Sequence, residues 1–232
     1  MAELIHGLRA DGVRTNLQRV REQIAAAAER AGRDAAGVEV CAAIKYVPVE
    51  ELGVLAQAGV ATVGENRAQD LEAKVAACGE RFNWDFIGQL QSRKVRDILP
   101  HVRLIHSLAS DSALAQLERH RDRARAGLEA LIQVNLAGEG AKAGVAPDRV
   151  EEFLLRCPVP VTGLMTMPPA VADPEESRPH FARLRTLAEE HGLQRLSMGT
   201  TQDFVVAVEE GATIVRLGTI LYARNMSSTR ST

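Results

Sequence analysis

The chain has 232 residues, 46% of them hydrophobic, with 28 basic against 30 acidic side chains and a net charge of −2. That length and apolar content suffice for a sizeable core, and the near-balanced charge excludes the basic footprint that nucleic-acid binding requires. Three scattered cysteines, Cys41, Cys78 and Cys157, exclude a disulfide framework or a zinc site, and no apolar run is long enough to cross a bilayer.

Residues 1–12 lack the apolar stretch of a secretory leader, so a soluble, cytoplasmic protein with reduced thiols is expected. Val13, Leu17, Val20, Ile24 and Ala28 recur at spacings of four, three, four and four, which predicts a leading helix over 8–31. The run 38–45 reads as a strand that stops at Lys45, with Pro48 and two glutamates opening a helix closed by Gly59. Further strands are predicted over 60–64, 83–88, 103–106, 128–135, 159–165, 195–198 and 213–217. Between them lie helices over 65–77, 92–99, 111–125, from Pro147, up to Gly192, and over 202–210.

Eight apolar strands alternating with helices predict a single (β/α)8 TIM barrel of the α/β class, with the leading helix as an addition. A doubly wound open sheet is the competing arrangement, but no GxGxxG fingerprint follows the first strand. Without a linker rich in Pro, Gly or Ser, one domain is expected over 1–232, with 226–232 as a disordered polar tail.

In such a barrel the C-terminal strand ends face one site, and here they carry Lys45, Asn66, His106, Asn135, Ser197, Arg216 and their neighbours. The opposite loops read as ordinary turn residues. A lysine closing a buried strand either snorkels to water or is held partly neutral, the state that attacks a carbonyl to form a Schiff base. Ser197, Gly199, Thr200 and Thr201 after the seventh strand, with Gly218 and Thr219 after the eighth, offer a phosphate cradle, although either threonine alone also suits a helix cap. Arg216 lies in an otherwise apolar strand and needs a partner. Glu65, Asp85, Asp203 or a ligand atom would serve. For Asn66, Asn135 and His106 taken singly, satisfaction of loop backbone groups is the alternative.

Ala43-Ile44-Lys45, Gly64-Glu65-Asn66-Arg67-Ala68-Gln69, Trp84-Asp85-Phe86-Ile87-Gly88-Gln89-Leu90-Gln91, Ile105-His106-Ser107, Gln133-Val134-Asn135, Gly163-Leu164-Met165-Thr166-Met167, Leu196-Ser197-Met198-Gly199 and Val215-Arg216-Leu217-Gly218-Thr219 together resemble the pyridoxal-phosphate homeostasis proteins, the YggS-like family. The resemblance implies the barrel of the alanine racemase N-terminal domain, of fold-type III. It implies pyridoxal 5′-phosphate (PLP) on Lys45, phosphate held by Ser197, Gly199, Thr200, Thr201, Gly218 and Thr219, and Arg216 at the pyridine nitrogen. Asn66, His106 and Met198 are implied as neighbours of the ring. The family's Ser-Met-Gly-Met-Ser reads Ser-Met-Gly-Thr-Thr here, and its final Phe-Gly reads Tyr222-Ala223, which leaves the last turn open. The implied function is non-enzymatic PLP homeostasis, with PLP-dependent apoenzymes as recipients and a monomeric state. A racemase of weak or narrow activity is the alternative, and a phosphate-binding barrel enzyme without PLP is a third. A chain ending just after the eighth strand, without a racemase's second domain, is expected to favour the carrier.

Overall fold

The computed structural model describes residues 4–137 and 143–223, so the tail 226–232 lies outside the described residues. Eight parallel strands close into a barrel in the order of the chain. They are β1 (Glu39–Ala43), β2 (Thr62–Glu65), β3 (Asn83–Phe86), β4 (Leu104–Leu108), β5 (Glu129–Gln133), β6 (Val161–Met165), β7 (Arg195–Ser197) and β8 (Ile214–Leu217). β8 pairs with β1 in the register Cys41 to Arg216, which closes the ring and removes every sheet edge.

Nine α-helices lie among the described residues: α1 (Ala10–Arg30), α2 (Leu52–Gln57), α3 (Ala68–Cys78), α4 (Val95–Ile98), α5 (Asp111–Arg119), α6 (Val150–Arg156), α7 (Arg178–Glu190), α8 (Phe204–Glu209) and α9 (Thr219–Tyr222). The apolar stripe of α1 is buried as its spacing predicts, and the helix lies against α8 and α9. Ser110 caps α5 by accepting from the Ala113 N–H. None of the helices among the described residues is long and apolar enough to cross a membrane.

Two packing regions follow from the strand alternation. The large one fills the space between sheet and helices, and a small one of Cys41, Leu104, Leu131, Met165 and Ile214 fills the barrel interior. The interior is narrow. A side chain at Gly64 would meet Cys41 Sγ and Ile87 Cδ1, each at 2.7 Å.

The N-terminal mouth of the barrel departs from expectation. Instead of ordinary turn residues, it holds a network of charges: Arg103 bonds Glu39 and Asp85, and Arg195 reaches Glu129 at 2.6 Å and Glu39 at 3.5 Å. Thr62 and Thr162 donate their hydroxyls to Glu39 and Glu129. These two arginines and three carboxylates tie the lower strand ends to one another.

Candidate functional site

The strand carrying Lys45 ends earlier than its sequence suggests. β1 stops at Ala43, and Lys45 stands in a tight turn closed by the Val47 N–H donating to the Ile44 carbonyl at 3.0 Å. The lysine is half-buried, and its Nζ lies 4.6 Å from the centre of the Tyr46 ring. Arg67 approaches the same ring at 5.8 Å. An amine placed on an aromatic face is oriented without being locked into an ion pair.

The neighbouring strand ends bring the other expected residues alongside. Asn66 follows β2, and its Oδ1 is buried with no hydrogen-bond partner. Gly88, after β3, lets the chain pass against Asn66, because a side chain there would lie 2.0 Å from the Asn66 carbonyl oxygen. On the other flank Gly218 adjoins Ala43, and Tyr222 donates its hydroxyl to the Ala43 carbonyl at 3.2 Å. Lys45 thus sits beside Asn66 on one side and Gly218 on the other.

Across the barrel a buried relay runs from the upper end to the lower. Arg216 Nη1 donates to Ser197 Oγ at 2.5 Å, Ser197 Oγ lies 2.8 Å from His106 Nδ1, and His106 Nε2 lies 3.1 Å from Asp85 Oδ2. Arg103 holds the far side of Asp85 at 2.9 Å. Burial keeps the His106 imidazole below its ordinary pKa, against the raising influence of Asp85. The histidine is therefore neutral near pH 7, with its hydrogen on Nε2 toward Asp85.

Arg216 finds none of the carboxylate partners expected from the sequence. Its other contacts are the Thr166 carbonyl and Met167 Sδ, while Asp85, Glu65 and Asp203 are engaged elsewhere. Burial pulls its pKa down to about 10, against the raising influence of Cys41 and Asp203, which leaves the guanidinium charged at neutral pH. A cavity of about 500 Å³, lined by Met167, Pro168, Val171, Gly199, Thr200 and Arg216, opens beside it.

The turn between β7 and α8 is built around Gly199, at φ +91° and packed so closely that a side chain would lie 2.7 Å from Ala207 Cβ. Asp203 accepts from the Thr200 N–H at 2.7 Å and from its hydroxyl at 3.0 Å, while Thr201 Oγ1 receives a long bond from the Gly218 N–H. Thr219 is exposed at the start of α9. Two other residues lie away from this surface. Met198 is fully buried in the apolar layer between sheet and helices, and His106 is fully buried within the barrel.

Residues 15–225 match the family described as alanine racemase, N-terminal domain. A pyridoxal phosphate homeostasis protein of Aquifex aeolicus is 41% identical over 217 residues, which cover 89% of this chain and 95% of the relative. The chain belongs to the pyridoxal phosphate homeostasis protein family. Another member, from Pseudomonas aeruginosa, is 36% identical over 89% of this chain and 93% of its own. Among solved structures, PipY of Synechococcus elongatus, with PLP bound, superposes with a TM-score of 0.77 at 29% identity, covering 91% of this chain and all of PipY.

The positions where the resemblance left the fit open have defined contacts. Thr200 is tied to Asp203, and Thr201 keeps a hydroxyl toward Gly218. Asn16 on α1 donates to the carbonyls of Leu221 and Ala223, so the final turn is tied to α1 as well as to β1.

One charged residue of the site escaped the sequence reading. Lys74 on α3 is buried and donates to Glu65 Oε2 at 2.5 Å and to the Ile44 carbonyl at 2.8 Å. Its signal was its place on the apolar face of that helix with Leu71 and Cys78.

Proposed function

We propose that this protein binds PLP covalently through Lys45 and holds it for delivery to PLP-dependent apoenzymes, without catalysing a reaction of its own. When bound, PLP supplies an aldehyde that condenses with a primary amine with loss of water. The residues at the upper barrel end fit such a group. Lys45 offers the amine, Asn66 Oδ1 is a buried acceptor lacking a partner, and Arg216 is a buried cation lacking a carboxylate. For a phosphate, the hydroxyls of Thr201 and of the exposed Thr219 keep a hydrogen to donate, whereas the Ser197 hydroxyl, both Thr200 donors and the Gly218 N–H are engaged with His106, Asp203 and Thr201. The PLP bound by PipY and the names of the relatives support the same reading.

The observation that supports the non-catalytic part is the engagement of both His106 ring nitrogens, since racemisation needs a base on each face of the substrate. A guanidinium such as that of Arg216 can only donate, so at a pyridine nitrogen it leaves that atom unprotonated, weakens the ring as an electron sink and suits few reactions beyond proton exchange at the α-carbon. Its pKa of about 10 keeps it in the donating state across the physiological range. His106, bonded at both ring nitrogens, has no free position for accepting a substrate proton.

The test combines transfer with racemisation. PLP-loaded protein mixed with an apo-aminotransferase should restore transaminase activity, and it should racemise alanine or serine no faster than free PLP does. Racemisation above that rate, lost in K45A, would instead make the protein an amino-acid racemase.

A further inference from the structure

Beneath Lys45 lies an ion pair that touches neither the cavity nor the relay. Glu65, at the end of β2, and Lys74, on α3, are both buried and are joined at 2.5 Å. Each partner also holds a strand end. Lys74 Nζ donates to the Ile44 carbonyl at 2.8 Å, the same oxygen that receives the Val47 N–H and closes the turn containing Lys45. The Ile44 N–H is fixed in turn by the Gly64 carbonyl at 3.0 Å. Glu65 Oε1 accepts from the Asn66 N–H at 2.6 Å and the Arg67 N–H at 2.8 Å.

A buried ion pair gives little net stability, because desolvation of both charges offsets their attraction. What this one supplies is registry. Four bonds tie the peptide before Lys45 to the two residues that follow β2, so that the amine, the orphan acceptor Asn66 and the ring-stacking Arg67 share one rigid support.

We propose that Glu65 and Lys74 are positioning residues for Lys45, holding its turn where the amine can bond a ligand aldehyde. The inference rests on the PLP reading above. In the step it serves, the Lys45 amine adds to the aldehyde carbon and the aldehyde oxygen leaves as water. Neither Glu65 nor Lys74 exchanges a proton in it.

The test compares PLP with pyridoxine 5′-phosphate, which has a phosphate and ring but no aldehyde. K74M alone strands a buried carboxylate and would endanger folding, so the informative variant is E65Q/K74M, which removes both charges while keeping an acceptor for the Asn66 and Arg67 N–H groups. Circular dichroism should match wild type. Loss of the charged clamp on Ile44 should weaken PLP binding about tenfold and leave pyridoxine 5′-phosphate binding within about twofold. Equal weakening of both ligands, or no change in either, overturns the positioning role. Wild-type protein that yields no borohydride-trapped adduct on Lys45 refutes the PLP reading itself, and the role falls with it.

Discussion

Arg216 hands its Nη1 hydrogen to Ser197 Oγ across 2.5 Å inside the barrel, and because a guanidinium has no acceptor, the direction of that bond is fixed. Ser197 then spends its own hydrogen on His106 Nδ1, and His106 gives its Nε2 hydrogen to Asp85. S197A leaves a buried guanidinium donor and a buried imidazole acceptor without partners. It should destabilise the fold by about 3 kcal/mol, read from urea unfolding. A cost below about 0.5 kcal/mol would mean the relay is not continuous.

The same relay gives a pH dependence. Burial places the folded His106 pKa below 6.5, so below that pH the unfolded chain takes up a proton that the native chain refuses. The stability associated with neutral His106 is thus present above the unfolded pKa and falls as the pH drops toward the folded one. The loss is at most about 1.4 kcal/mol per pH unit in that window. H106Q lacks this titration while keeping the same surface carboxylates. The stability advantage of wild type over H106Q should therefore shrink between about pH 7.5 and pH 5.5. An advantage that is constant or grows over that range contradicts a neutral, desolvated His106.

Gly199 and Gly218 are both expected in a phosphate cradle, yet their surroundings differ. Gly199 combines φ +91° with an Ala207 contact of 2.7 Å, whereas a side chain at Gly218 would find nothing nearer than 3.8 Å. G199A should cost about 3 kcal/mol and lower Tm by roughly 10 °C. G218A should change stability by less than about 1 kcal/mol. Thermal melts of the two variants with equal losses would show that the β7–α8 turn yields to the added methyl.

The barrel was legible because each strand is a short apolar run and each helix has a periodic face or a cap. Lys45 was legible because a charge at the end of such a run is costly without a use. The partners of Arg216 were not. Its sequence neighbours are apolar, and closure of the barrel, which sets Ser197 and Thr166 against it, is a long-range result that no local spacing encodes. Glu39, Arg103, Glu129 and Arg195 read as loop or strand-start charges for the same reason, since their pairing depends on which strands meet around the ring. The predicted strands run two residues too long at Lys45 and at Asn135, because polar residues that follow a strand continue its pattern without its ladder bonds. Lys74 was legible in principle. It lies on the buried face of α3, and a charge there calls for a partner inside the fold.

The central claim is a covalent PLP site on Lys45. The measurement that tests it most directly is borohydride reduction of the protein after incubation with PLP, followed by peptide mass mapping of wild type and K45A. The account predicts a phosphopyridoxyl group on the peptide containing Lys45, accompanied by a near-visible absorbance band, both absent from K45A. No adduct, or one on another lysine with equal yield in K45A, would contradict it.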